Sequence, residues 1–322
     1  MEKYKVDVPV LLIFFTRDDT FAKVFEKVRE AKPSKLFLAC DGPRANRPDD
    51  VEKIEKCKAI ASNIDWECEV YTNYSDVNLG CGVRPQSAIG WALSIVDRIV
   101  ILEDDCVPEL SFFDYMAELL ERYKDDERVG MVSGLNHLKT WDCGGYDYCF
   151  TKNGAIWGWG TWSRVWKEYD YTISHFNNEY TKKLLHNSFR NKNAAEVRER
   201  TWTSTVDRLN KGENISYWDV QFGFLKHVNS YFAIVPRNNL IYNIGVGADS
   251  THAIGVTQSS WKKGTLHFIP TAEIEQPLKH PPYVLQDVEY DMIVDKYWLG
   301  QSRLRKNFGR IKRVIKRIFF KK

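Results

Sequence analysis

The run Ile-Val-Ile-Leu at residues 99–102 ends abruptly in Glu103, Asp104 and Asp105. An aliphatic, β-branched run of this kind suits a strand buried on both faces of a parallel sheet. Three adjacent carboxylates at its end repel one another unless a cation stands beside them. Hard carboxylate oxygens select Mg2+ or Mn2+, ions that keep one or two protein carboxylates and take further oxygens from a phosphorylated ligand. Taken alone, the tripeptide also reads as a solvated acidic turn.

Similar segments precede it. Residues 8–15 form a strand candidate followed by Thr16, Arg17, Asp18 and Asp19, then a helix marked by Phe21, Val24, Phe25 and Val28. The apolar run 35–40 ends in Asp41-Gly42-Pro43-Arg44, and a helix over 49–62, a strand near 66–71, a loop over 78–84 and a helix over 85–96 lead into the acidic strand. Strands alternating with helices at short intervals indicate an α/β fold, a Rossmann-like, mostly parallel sheet flanked by helices. Ligands of such sheets bind beyond the carboxyl ends of the strands. Thr16, Arg17, Asp41 and the three acids therefore fall on one edge, where a single crevice collects them, although Asp41-Gly42-Pro43 by itself reads as a turn.

The middle of the chain changes character. Residues 153–162 interleave Gly with Trp157, Trp159 and Trp162; Gly admits close backbone approach and indole faces stack on sugar rings, while core packing is the ordinary role of such aromatics. Residues 174–213 are polar with helical patterning and read as an acceptor-side insertion. Asp219 stands alone among aromatics in Tyr217-Trp218-Asp219-Val220-Gln221-Phe222. Such surroundings raise a carboxylate toward a base's working range, and a helix cap or turn acid is the alternative. A Gly-rich loop ends in Asp249-Ser250-Thr251-His252, where a terminal histidine can fold over phosphates or metal.

Seven cysteines without a C-x-x-C pair indicate neither a full disulfide framework nor a zinc site. Reduced thiols, no leader pattern and no apolar stretch of membrane-spanning length predict a body facing the cytoplasm. Residues 301–322 carry ten Lys or Arg and no acid, so the net charge of +3 belongs to the tail and the remainder is acidic. Leu304, Phe308, Ile311, Ile315, Ile318 and Phe319 fall on one helical stripe there. A basic amphipathic helix of this kind lies in the interface of an anionic membrane, and that sharp apolar stripe argues against a nucleic-acid partner.

In order and content, residues 8–255 resemble the GT-A glycosyltransferases, in particular the branch containing N-acetylglucosaminyltransferase I and its bacterial relatives. The specific segments are ILEDDCVPELSFFDYM and YWDVQFGF. The resemblance implies a metal-dependent inverting transfer from a UDP-sugar to a hydroxyl of a glycan or lipid-linked glycan at the cytoplasmic membrane face. Asp105 would bind Mn2+ or Mg2+, with His252 as a looser second candidate, and Asp219 would be the base. Glu103 and Asp104 would contact the ribose and sugar, Thr16, Arg17 and Asp41 the nucleoside, with Arg84 assisting, and Trp159 would help form the floor. The animal enzymes carry two acids after this Trp, whereas Val220 follows Asp219 here. The implied layout is a catalytic domain over 1–300, nucleotide-binding to about residue 110 and acceptor-side from 111, then the membrane helix over 301–322. Two other readings use the same features: a sugar nucleotidyltransferase, which calls for a basic Gly-rich loop after the first strand that this chain lacks, and a noncatalytic glycan-binding module at a membrane surface.

Overall fold

The computed structural model describes residues 3–246, 267–297 and 299. His252 and the 301–322 tail lie outside the described residues.

Four strands, β1 (Val6–Phe14), β2 (Pro33–Cys40), β3 (Glu69–Tyr74) and β4 (Arg98–Glu103), are linked by α1 (Asp18–Ala31), α2 (Asp50–Ala61) and α3 (Gly80–Leu93). They pair in parallel in the order β3-β2-β1-β4. The chain continues through β5 (Cys106–Pro108), α4 (Ser111–Arg122), β6 (Val129–Ser133), β7 (Tyr148–Thr151), β8 (Trp159–Trp162), α5 (Ser163–Trp166), α6 (Glu179–Ser188), α7 (Lys192–Asn210), α8 (Asp219–Val228), β9 (Phe232–Pro236) and β10 (Ile241–Asn243). The sheet extends from β4 as β8-β6-β9-β7, eight strands in all. β8 and β7 run antiparallel to their neighbours and the other six strands point the same way. This is the mostly parallel, helix-flanked α/β sheet that the alternating pattern predicts.

α1 shows how the pattern works. Phe21, Val24, Phe25 and Val28 recur at helical spacing and all are buried, each contributing roughly 1.5–3 kcal/mol by leaving water. Their face covers β1, whose residues Val10 to Leu12 are buried on both sides of the sheet.

Three local expectations need correction. The strand expected near 66–71 begins at Glu69, because Trp66 is fully buried and its indole donates to the Pro33 carbonyl at 2.9 Å ahead of the strand. The loop expected over 78–84 is helical from Gly80, so Arg84 stands on α3. The Gly-Trp segment includes a strand: β8 is wedged between β4 and β6, with Trp159, Gly160, Thr161 and Trp162 all buried. Gly158 begins that turn into the sheet at φ +59, with the Ile241 side chain filling the space a Cβ would need.

A separate two-stranded ribbon matters for the site. β5 and β10 pair antiparallel and set Cys106 opposite Asn243, which brings the chain after β9 back to the end of β4.

Candidate active site

The strand order reverses direction between β1 and β4, since the chain steps outward from β1 through β2 to β3 and then returns to the other side. Such a switch point opens a crevice at the carboxyl ends of the two strands. Ile13 of β1 is in register with Glu103 of β4, and Phe14 with Cys40 of β2. Phe15 to Arg17, Asp41 and Glu103 to Asp105 therefore gather on one edge.

Asp104 and Asp105 are buried, and their nearest cation is protein-borne. The Arg17 guanidinium bridges them, one amino group on Asp104 and the other 3.0 Å from Asp105. Burial disfavours the charge on Arg17, and the two acids outweigh it, holding the group firmly protonated. Asp104 also accepts from the Phe15 amide at 3.3 Å. Burial still raises the Asp104 pKa, against the pull of Arg17. Glu103 differs. Its side chain takes no hydrogen bond or ion pair among the described residues, and burial, then Asp105 and Asp104, push its pKa up to about 8, with Asp219 adding to the effect.

Asp105 is clamped by residues that its local sequence does not reveal. One oxygen accepts from Asn243 at 3.2 Å and from the Cys106 thiol at 3.3 Å. Asn243 in turn accepts from the Gly245 amide at 2.9 Å and contacts His267 Nδ1 at 2.7 Å. The carboxyl of Asp105 lies where a Cβ on Gly245 would sit. His267 rests against the Trp157 ring, with centroids 4.8 Å apart. These partners come from the β5–β10 ribbon and its continuation. In the sequence they left no sign beyond the Gly-rich character of the loop that ends at His252.

The remaining candidates divide. Thr16 is buried at the edge. Asp41 has both oxygens engaged: Oδ1 accepts from the Gly42 and Leu79 amides at 2.9 Å each, and Oδ2 from the Gly80 amide at 2.9 Å and from Asn78 at 3.1 Å. It ties the start of α3 to the end of β2. Arg84 is buried and donates to the Asn73 side chain at 3.0 Å and to the Asn73 carbonyl. Trp159 is fully buried, stacked on Trp218 at 5.8 Å and tilted against Phe222 at 4.8 Å. Asp219 is the first residue of α8, and its charge adds slightly to the upward push on the Glu103 pKa. Phe15 and Arg44 were not singled out in the sequence. The Arg44 guanidinium lies 5.2 Å from the Phe15 ring and pairs with the buried Asp50, forming the outer wall beside Asp41.

Among the described residues, no three His, Cys, Asp or Glu side chains are grouped to enclose a metal ion. The donor set nevertheless fits a divalent cation in the one- or two-carboxylate mode: Glu103 is a carboxylate without a protein partner among the described residues, next in sequence to the acids that Arg17 bridges, and burial followed by those acids raises its pKa.

No protein-family model matches the chain, and no curated protein matches it. Among solved structures, it aligns with UDP-glucose pyrophosphorylase complexed with UDP-glucose at 7% identity and TM-score 0.35, over 73% of this chain and 92% of the other. A cytidylyltransferase from Leptospira borgpetersenii aligns at 11% identity and TM-score 0.31, over 65% and 95%. HddC from Yersinia pseudotuberculosis aligns at 13% identity and TM-score 0.30, over 50% and 80%. Scores this low leave the assignment to the chain's own residues.

Proposed function

We propose that the protein is a nucleotide-sugar-dependent enzyme that transfers a sugar to an acceptor hydroxyl. The observation that supports this reading is the acidic strand end at the switch point, where Arg17 bridges Asp104 and Asp105 and Glu103 keeps no protein partner among the described residues. Asp219, at the start of α8, is the further carboxylate that a direct displacement needs. Asp219 takes the proton from the acceptor hydroxyl as it attacks the anomeric carbon, a general-base contribution of roughly 10²–10⁴-fold. Asp104 would contact the ribose and sugar, and Arg17 holds Asp104 and Asp105 in place until substrate arrives. Phe15 and Arg44 supply an aromatic and cationic wall for the nucleoside, while Asp41 and Arg84 shape that wall through their bonds to the chain. Glu103 and Asp105 are the groups that would hold Mn2+ or Mg2+, which neutralises charge on a departing diphosphate when bound.

Sugar-nucleotidyl transfer is the second reading and the first to exclude, since it employs similar carboxylates and is the activity named for two of the weakly similar structures. Against it stands the segment after β1. There Arg17 is committed to Asp104 and Asp105, and the first turn of α1 carries Asp18 and Asp19, which disfavour a phosphate at that helix N-terminus. Purified protein incubated with Mn2+, a UDP-sugar panel and candidate acceptors separates the two. Release of UDP from one donor, abolished in Asp219→Asn, supports glycosyl transfer. Diphosphate release from UTP and a sugar 1-phosphate, unaffected by Asp219→Asn, establishes the other.

The basic stripe of residues 301–322 supports placement on an anionic membrane, with the acceptor a glycan or lipid-linked glycan. Deleting the tail should abolish co-sedimentation with anionic vesicles. Undiminished sedimentation would refute that placement.

A further inference from the structure

On the other side of Asp219 the charge balance is reversed. Lys226, on the α8 helix that Asp219 begins, is only 5% exposed, and among the described residues its ammonium meets the Gly154 carbonyl at 3.3 Å, the Met131 sulfur at 3.5 Å and the Phe222 ring at 5.7 Å, with no carboxylate. Arg198 of α7 reaches the same place and donates to Asn153 Oδ1 at 3.3 Å. Among the described residues neither cation makes an ion pair, although buried cations are almost always paired with an anion. The acids closest to them are engaged by neutral donors. Asp291 accepts from Thr151, the Lys152 amide, Asn153 and Gln286, and Asp295 from Asn153. The excess positive charge acts on the surroundings: burial first, then Lys226 and Arg198, hold His137 neutral. Burial first, then Arg198, lowers the Lys226 pKa to about 7, and Asp219, two turns earlier on α8, pulls weakly the other way.

We propose that Arg198, Lys226 and Asn153 form an anion-binding subsite beside Asp219 that takes a phosphate or carboxylate group of the acceptor. The subsite is built from α7, α8 and the segment before β8, and includes none of the nucleotide-edge residues. Of its two cations, Arg198 on α7 is partly exposed and Lys226 on α8 is buried. Only the attribution of the anion to an acceptor rests on the glycosyl-transfer reading; the subsite itself does not.

The test is isothermal titration of the full chain with inorganic phosphate and, separately, with glucuronate, in chloride at fixed ionic strength. Arg198→Gln, Lys226→Met and Asp105→Asn are titrated alongside. One of the two anions should bind, with at least tenfold weaker affinity in Arg198→Gln and Lys226→Met and undiminished affinity in Asp105→Asn. Phosphate binding alone identifies a phosphorylated acceptor, and glucuronate binding alone an acidic sugar. Should Lys226→Met fail to fold, Arg198→Gln decides by itself. Binding of neither anion, equal affinity in Arg198→Gln, or loss of binding in Asp105→Asn overturns the subsite. Anion binding as described, with a donor panel that shows no sugar transfer, retains the subsite and refutes the transferase.

Discussion

The end of β4 and the floor beneath α8 both hold buried ionisable groups, yet they are compensated in opposite ways. At β4 the negative charge is met by a cation from the chain itself, with Arg17 bridging Asp104 and Asp105. Under α8, among the described residues, Lys226 and Arg198 meet carbonyl, amide, sulfur and ring partners and no carboxylate. A buried ion pair makes a fixed, preorganised wall. A buried ion without its pair is held at a cost that an arriving ligand relieves. The acidic edge is accordingly rigid except at Glu103, and the basic floor awaits an anion.

The largest effect expected concerns the residue between these regions. Asp219→Asn should lower kcat by roughly 10²–10⁴-fold while donor binding, followed by calorimetry, stays within a few-fold of the parent. A parallel loss of donor binding would show that Asp219 belongs to the acidic wall and is not a base.

Next comes the pairing itself. Arg17→Met leaves two buried carboxylates without their cation and should cost about 3 kcal/mol in urea denaturation at pH 7, the low end for a broken buried pair because Arg17 keeps a quarter of its side chain exposed. The same change at Lys226, which has no ionic partner to strand, should cost less in the absence of ligand. Equal costs would erase the contrast between the two regions.

The pH dependence of Glu103 sharpens it further. Its pKa is raised to about 8 in the folded chain, above the unfolded value near 4.3. The folded state therefore holds the proton more tightly, and stability falls as pH rises from about 4 to 8. Glu103→Gln should remove this loss, stabilising the metal-free protein at pH 9 by on the order of 2 kcal/mol and leaving it unchanged at pH 4. A variant whose stability tracks the parent across that range would show that Glu103 is not crowded as described.

A smaller effect distinguishes buried charge from surface charge. Glu52 and Lys56 form an i,i+4 pair on α2 at 2.8 Å, with both side chains more than half exposed. Glu52→Gln should leave the urea midpoint indistinguishable from that of the parent. A loss comparable to that of Arg17→Met would mean that burial is not what separates these pairs.

Much of the acidic edge was legible in the sequence, because β1, β2 and β4 are apolar runs of strand length ending in polar residues. In a parallel sheet such ends must align. Thr16, Arg17, Asp41 and the three acids could thus be placed together from the chain alone. The second half was less legible. Trp159, expected at a ligand floor, is core, because β8 inserts antiparallel between β4 and β6 and buries both its faces. Nothing in the spacing of Gly and Trp separates a stacking platform from a buried strand. Asp41, expected at the nucleoside or in a turn, has both oxygens engaged by the chain, since its partners Leu79 and Gly80 arrive from beyond β3.

By itself, then, the sequence determined the alternation of strands and helices, the shared edge and the chemistry gathered there, because periodicity and strand ends are local properties. Tertiary structure alone decided which charges meet. Arg17 reaches acids 87 and 88 positions later, Asn243 returns through the β5–β10 ribbon to hold Asp105, and α7 carries Arg198 to the floor where Lys226 lies. Those contacts follow from the order of strands and the packing of helices, and charge compensation acts over a few ångströms of space whatever the distance along the chain.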